Sequence, residues 1–199
     1  KPEWCARYGL TQHAGAEVVK PDRARRGVIS AAGVEAPYDR AILATGSTPV
    51  ILPLPGRDLP GVVSYRDIAD VDRMIAAASE HRTAVVIGGG LLGLEAAYGL
   101  QKRGMHVTVV HLLPTLMERQ LDPAAATLLK ASLEQRGLEF VMPAQTAAIE
   151  GNGRVERVLL ADGTVLAADL VVMAVGIRPN SALARASGLH CERGVLVND

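Results

Sequence analysis

The strongest chemical signal in this sequence is Gly88-Gly89-Gly90-Leu91-Leu92-Gly93, which satisfies the spacing G-x-G-x-x-G. Such a turn presents backbone amides to a phosphate. Gly88 allows the tight turn, Gly90 lets the backbone approach a pyrophosphate, and Gly93 lets a helix and a strand pack closely. The pattern alone is weak. Its flanks give it meaning: a buried strand, Ala84-Val85-Val86-Ile87, precedes it, and an Ala/Leu-rich helix from Leu91 to Arg103 follows. The helix N-terminus then offers unpaired N–H groups and a partial positive charge to an anion. A glycine-rich turn without a ligand is the competing reading.

An acidic residue about twenty positions further on would accept hydrogen bonds from ribose hydroxyls. Here the second strand, Val107 to Val110, ends at His111 instead. A neutral imidazole accepts one hydrogen bond but brings no carboxylate charge; a protonated one would favour a 2′-phosphate. Arg119 lies within reach of the following loop, although an arginine there is more often solvated surface. These residues leave NADH against NADPH open. Glu95 is expected on the first turn of the glycine-loop helix. It is either a favourable charge near the helix N-terminus, worth ~0.3–1 kcal/mol, or a contact to a nicotinamide ring. No nucleophile–base pair or carboxylate dyad stands out, so catalytic side chains are assigned to none. That fits hydride transfer, in which cofactors carry the chemistry and the protein supplies position and field.

Composition narrows the setting. The apolar share is 49% and the aromatic share 3%, so the core must be built from Ala, Val, Leu and Ile, as in a parallel sheet covered by helices. Lys plus Arg and Asp plus Glu both number 21. A net charge of zero gives no electrostatic case for nucleic acid or an anionic membrane, and a phosphate must be held by a local device. Cys5 and Cys191 stand far apart, with no Cys/His cluster for zinc or iron–sulfur, so no metal ligands are assigned. No apolar run approaches the ~20 residues of a membrane span, and a cytoplasmic setting is expected. The chain starts at Lys1 rather than Met and stops just after a strand-like Gly194-Val195-Leu196-Val197, which reads as a piece of a longer protein.

These elements must position the loop. Glu17 to Lys20 and Gly27 to Ser30 read as strands around a polar turn, and Ala41-Ile42-Leu43-Ala44 as a buried strand ending in Thr45-Gly46. Proline at 49, 53, 55 and 60 marks a crossover from Thr48 to Gly61. Ile68, Val71, Met74, Ile75 and Ala78 have helical spacing over Asp67 to Ser79. Asp122 caps a helix that starts at Pro123 and ends before Gly137, and Leu138 to Val141 is a third strand. Then come short strands: Gln145 to Glu150, Arg154 to Leu160 and, past the Asp162-Gly163 hairpin signal, Thr164 to Leu166. Leu170 to Gly176 is a second apolar run ending in glycine. Two such ends, one on each side of the β–α–β unit, suggest that the unit is inserted into another domain.

Taken together, Ala84 to Glu95, Ala44-Thr45-Gly46-Ser47 and Ala174-Val175-Gly176-Ile177-Arg178-Pro179-Asn180 resemble the pyridine nucleotide–disulfide reductase superfamily. Within it, His111 to Asp122 (HLLPTLMERQLD), Tyr65 to Asp70 and Gly188 to Gly194 are similar to the large subunit of assimilatory NAD(P)H-dependent nitrite reductase. The resemblance implies an α/β fold, a Rossmann-like FAD/NAD(P)-binding three-layer ββα sandwich, with an NAD domain inserted in a partial FAD domain. Residues 1–63 would be the flavin segment and crossover, 64–176 the NAD(P)-binding domain, and 177–199 the truncated return. Gly88, Gly90 and Gly93 would bind the pyrophosphate, and Glu95 would lie near the nicotinamide. Thr45, Gly46, Val175 and Gly176 would mark the crossings. Leu91 stands where relatives often carry an aromatic gate, and His111 where they carry an acid. The flavin-binding glycine motif, the C-terminal flavin segment, and the sirohaem and iron–sulfur cysteines would lie outside this chain. NAD(P)H and FAD are the implied ligands, with a small subunit or second copy as protein partner. Rubredoxin or ferredoxin reductase and NADH oxidase share these motifs, and a non-catalytic nucleotide module is the reading from another class.

Overall fold

The computed structural model describes residues 2–198. They pack as two compact units: one runs up to Ser47 and resumes at Pro179, the other is continuous from Thr48 to Arg178. In chain order the elements are α1 (Pro2–Arg7), β1 (Val18–Asp22), β2 (Gly27–Ser30), β3 (Glu35–Pro37), β4 (Ser47–Pro49), β5 (Val62–Ser64) and α2 (Ile68–Glu80). There follow β6 (Thr83–Ile87), α3 (Leu91–Gln101), β7 (His106–Val110), α4 (Pro123–Glu134), β8 (Leu138–Val141), β9 (Thr146–Glu150), β10 (Arg157–Leu160) and β11 (Val165–Ala167). The chain closes with β12 (Leu170–Met173), β13 (Ile177–Pro179) and α5 (Ala182–Ala186).

The larger unit is built on a five-stranded sheet of order β5-β12-β6-β7-β8, parallel at every pairing. Side chains alternate across a strand, and here both faces are apolar. Ala84 and Val86 of β6, with Leu170 and Val172 of β12, face one core together with Met74, Ala78, Leu94, Ala97 and Leu100 of α2 and α3. Val85, Ile87, Val171 and Met173 face the other, against Ile149, Val158 and Leu160 of the antiparallel meander β9-β10-β11. Helices cover one face and a small sheet the other, so the layers are ββα, the three-layer α/β arrangement expected from the motifs. Burying one Leu or Val here contributes about 1.5–3 kcal/mol.

Local chemistry sets the element ends. Asp67 caps α2 by accepting from the Asp70 amide at 2.9 Å, and Asp122 caps α4 by accepting from that of Ala125 at 2.8 Å, with Pro123 in the first turn. The Asp162-Gly163 signal makes the β10–β11 hairpin, and Asp162 accepts from the Thr164 amide. Along α2 only Asp70, Met74 and Ala78 are buried, and Ile68 of the expected apolar stripe is 79% exposed.

Two sequence readings fail in the smaller unit. Ala41–Ala44 is not a strand: it finds no ladder partner among the described residues, and Ile42 is 93% exposed. An apolar run becomes a strand only when a neighbour accepts its backbone groups, and here none does. Gly194–Val197 likewise reduces to one isolated bridge, Cys191 to Val195. The strands β1, β2 and β3 do form, as an antiparallel sheet around the expected polar turn.

At the N-terminal edge of the large sheet, Asp169 ties β12 to β6. Its Oδ2 accepts from the Thr83 hydroxyl at 2.7 Å, the Thr83 amide at 3.0 Å and the Arg82 amide at 3.2 Å. The Thr83 hydroxyl bond, joined by the two amides, holds this carboxyl below its ordinary value. Its stabilising effect is therefore present above the usual carboxylate range and is lost as pH falls through the lowered native value. Asp169→Asn is expected to lower stability by about 1 kcal/mol at pH 7; the gap to the parent chain closes on acidification, as read by urea titrations from pH 7 to 3.

The sheet also depends on a close approach at its other end. A Cβ on Gly93 would overlap the carbonyl oxygen of Gly88, so the first turn of α3 lies directly against the end of β6. Gly93→Ala is expected to cost about 1–3 kcal/mol or more in a urea titration, because the obstruction is backbone and cannot rotate away.

Candidate functional site

The C-terminal ends of β6, β7 and β12 meet around the glycine loop, and each glycine answers a different constraint. Gly88 has φ +123°, and a Cβ on it would overlap the carbonyl oxygen of Ala174, the residue after β12. Its amide donates to the Val110 carbonyl at 2.9 Å, which ties the loop to β7. Gly93 is held by the helix–strand approach. Gly89 is pressed by its neighbours: a Cβ would stand 2.7 Å from Leu116 Cδ2 and 2.8 Å from His111 Cγ. Gly90 differs from all three. It has an ordinary φ of −87°, and a Cβ on it would meet nothing within 4 Å. No packing inside the chain requires glycine there.

Gly90 is also the N-cap of α3 and has no side chain to cap it. The Leu94 amide bonds back to the Gly90 carbonyl at 3.0 Å, and the amides of the first turn before it have no acceptor among the described residues. The result is a set of free donors at the positive end of an eleven-residue helix, beside an open backbone surface.

His111, directly after β7, is buried under this loop. Its Nδ1 accepts from the Gly89 amide at 3.0 Å, while Nε2 lies 3.1 Å from the Thr115 carbonyl and 3.4 Å from Glu118 Oε2. Arg119 is exposed and has no partner among the described residues. Leu91 is exposed at the mouth of the loop and Leu92 half-buried.

Glu95 is the fifth residue of α3 and so stands on the second turn; no acidic residue lies in the first. The expected charge at the helix terminus is thus displaced, because the helix starts at Leu91, as expected, and its fifth residue already lies past the first turn. Glu95 instead borders an open cleft of about 310 Å³ with Leu92, Tyr65, Arg66, Asp67, Ile68 and Val71. Burial, and next the Glu95 carboxylate, raise the Tyr65 hydroxyl above its ordinary value. Asp70 shapes this wall and was not legible as a site residue in the sequence. Buried at 2% exposure, it accepts from the Arg66 amide at 2.8 Å and the Ser64 hydroxyl at 3.0 Å, and it pairs with Arg73. The sequence signals were an acid three residues after a helix cap and its place at the end of the Tyr65–Asp70 segment.

The remaining expected residues fall in two places. Val175 and Gly176 follow β12 in the larger unit, where the Gly176 carbonyl accepts from the Val50 amide at 2.9 Å. Thr45 and Gly46 belong to the smaller unit and are tied to Asn180. The Thr45 hydroxyl donates to the Asn180 carbonyl at 2.7 Å, the Asn180 side-chain amide donates to the Thr45 carbonyl at 2.9 Å, and the Asn180 amide donates to Gly46. Cys5 and Cys191 are free thiols, and no group of three metal-ligating side chains occurs among the described residues. No described helix is long and apolar enough to cross a membrane.

Comparison with known proteins follows the same lines. The family model described as pyridine nucleotide-disulphide oxidoreductase matches residues 6–199. The chain is 51% identical over 197 residues to the nitrite reductase [NAD(P)H] of Bacillus subtilis, covering 99% of this chain and 24% of that protein. It is 44% identical to the assimilatory nitrate reductase electron transfer subunit of the same organism, again over 99% of this chain and 26% of the relative. The chain thus spans about a quarter of the length of these curated relatives. Among solved structures, a ferredoxin reductase from Rhodopseudomonas palustris superposes with a TM-score of 0.92 at 29% identity, covering 99% of this chain and 49% of that one. Sequence match, ββα layering and the glycine loop at the end of a parallel sheet agree, and the chain belongs to the pyridine nucleotide-disulphide oxidoreductase family.

Proposed function

We propose that this chain is the NAD(P)H-binding part of a flavin-dependent oxidoreductase of the nitrite reductase large-subunit type. The observation that carries the nucleotide reading is Gly90, where the absence of a side chain serves no contact within the protein and leaves free helix amides open to an anion. A pyrophosphate fits that cradle, and a Cβ would fill it. Gly88 and Gly93 hold the cradle against the sheet, and Gly89, Leu91 and Leu92 complete the loop around it. Glu95 and the cleft it shares with Tyr65 lie one helical turn further on, a suitable place for the nicotinamide.

A bound nicotinamide supplies hydride chemistry, and the residues of this chain contribute binding and orientation. The likeness of nearly all of this chain to about a quarter of a nitrite reductase supports nitrite as the terminal acceptor of the whole protein, reached through FAD, sirohaem and an iron–sulfur cluster. In this reading His111, Arg119, Val175 and Gly176 of the larger unit, and separately Thr45 and Gly46 of the smaller, are proposed as cofactor-binding residues. A second reading, ferredoxin or rubredoxin reductase, is favoured by the solved structure described above. Nitrite-dependent against ferredoxin-dependent oxidation of NADH by the full-length protein separates the two.

The nucleotide reading is tested by calorimetric titration of NADH and NADPH. Saturable binding is expected. Gly90→Asp places a good N-cap on α3 and so leaves the thermal midpoint unchanged or raised. The same carboxylate repels a pyrophosphate, and affinity is expected to fall by at least about a hundredfold, ~2.7 kcal/mol. Unaltered affinity in this variant removes the assignment of Gly90 to the phosphates.

A further inference from the structure

Gly89 occupies a position that the G-x-G-x-x-G spacing leaves free, yet it is glycine. The reason lies in the segment after β7, which presses the His111 ring and Leu116 onto the place its Cβ would take. Both polar groups of Gly89 end on the same segment: its amide donates to His111 Nδ1 at 3.0 Å, and its carbonyl accepts from the Met117 amide at 3.1 Å. Met117 reaches that bond with φ +51°, a left-handed conformation that a non-glycine residue adopts only when its surroundings impose it.

The partners of His111 fix its proton. An amide needs an acceptor, so Nδ1 carries no hydrogen. The Thr115 carbonyl at 3.1 Å needs a donor, so Nε2 carries it, and the Glu118 carboxylate at 3.4 Å favours the same arrangement. The other elements around the ring contribute no further charge among the described residues: the glycine loop offers backbone, and β8 offers the Val141 carbonyl, which accepts the His111 amide at 3.1 Å.

We infer that His111 is a positioning residue for the nucleotide. As the neutral Nε2–H tautomer it holds the Gly89 N–H while the Met117 amide holds the next peptide, and the two bonds together set the direction in which the amides at Gly90 and Leu91 face the ligand. The inference rests on the nucleotide reading above. Without the Nδ1 acceptor, one of the two bonds that hold Gly89 is lost while the Met117 bond stays, and apparent affinity falls in proportion to the fraction of loops still correctly set.

The test combines ring ¹⁵N NMR of the unmodified chain at pH 7.5 with NADH titrations of three variants. The ring is expected to show the Nε2–H pattern; an Nδ1–H pattern or an imidazolium overturns the inference whether or not the variants fold. His111→Asn keeps an acceptor oxygen near the Nδ1 position and is expected to bind NADH within about threefold of the parent. His111→Gln and His111→Phe lose it and should bind about tenfold more weakly or worse. Equal affinity in all three, or equal loss with Asn included, overturns the positioning role. Failure of the unmodified chain to bind either nucleotide removes the nucleotide reading instead, which keeps the two failures distinct.

Discussion

A single backbone-to-backbone approach governs this fold. The Gly88 carbonyl sits where any side chain on Gly93 would begin, so helix α3 starts against the end of β6 and not a few ångströms away. On its other side Gly88 packs against Ala174 after β12, and its amide reaches Val110 of β7. Three central strands are thereby registered to one helix terminus. The alternation of Ala84, Val85, Val86 and Ile87 between the two cores follows, because the strand cannot slip without moving this contact.

That geometry also explains how a chain with no net charge can offer a site for an anion. The donors belong to the peptide backbone at a helix end, and they need no lysine or arginine. Surface charge can then vary without altering the site, and Arg119, exposed and without a partner among the described residues, is not required to hold its shape.

Much of this was legible in the sequence. The strand–glycine–helix order fixed the placement of Gly88 and Gly93, since their constraint is local and steric. Asp122 before Pro123, and Asp162-Gly163 between short apolar runs, announced their structures for the same reason. What was not legible depends on contacts far apart in the chain. Ala41–Ala44 has the composition of a buried strand, but strand formation needs a partner, and composition does not name one. Glu95 was placed one turn too early although the helix start at Leu91 was read correctly, since four residues, Leu91 to Leu94, already fill the first turn. His111 could be read only as a missing acid, since nothing in the residue order shows that its ring turns back onto Gly89, 22 positions earlier. Asp70, buried and satisfied by Arg66, Ser64 and Arg73, was named only as the end of the Tyr65–Asp70 segment, since residue order does not show these contacts.

The bond between the Val50 amide and the Gly176 carbonyl joins the two ends of the larger unit. A stretch of chain whose entry and exit are clasped together behaves as a cassette. The loop between its ends is closed by its own backbone and not by the sequence that flanks it.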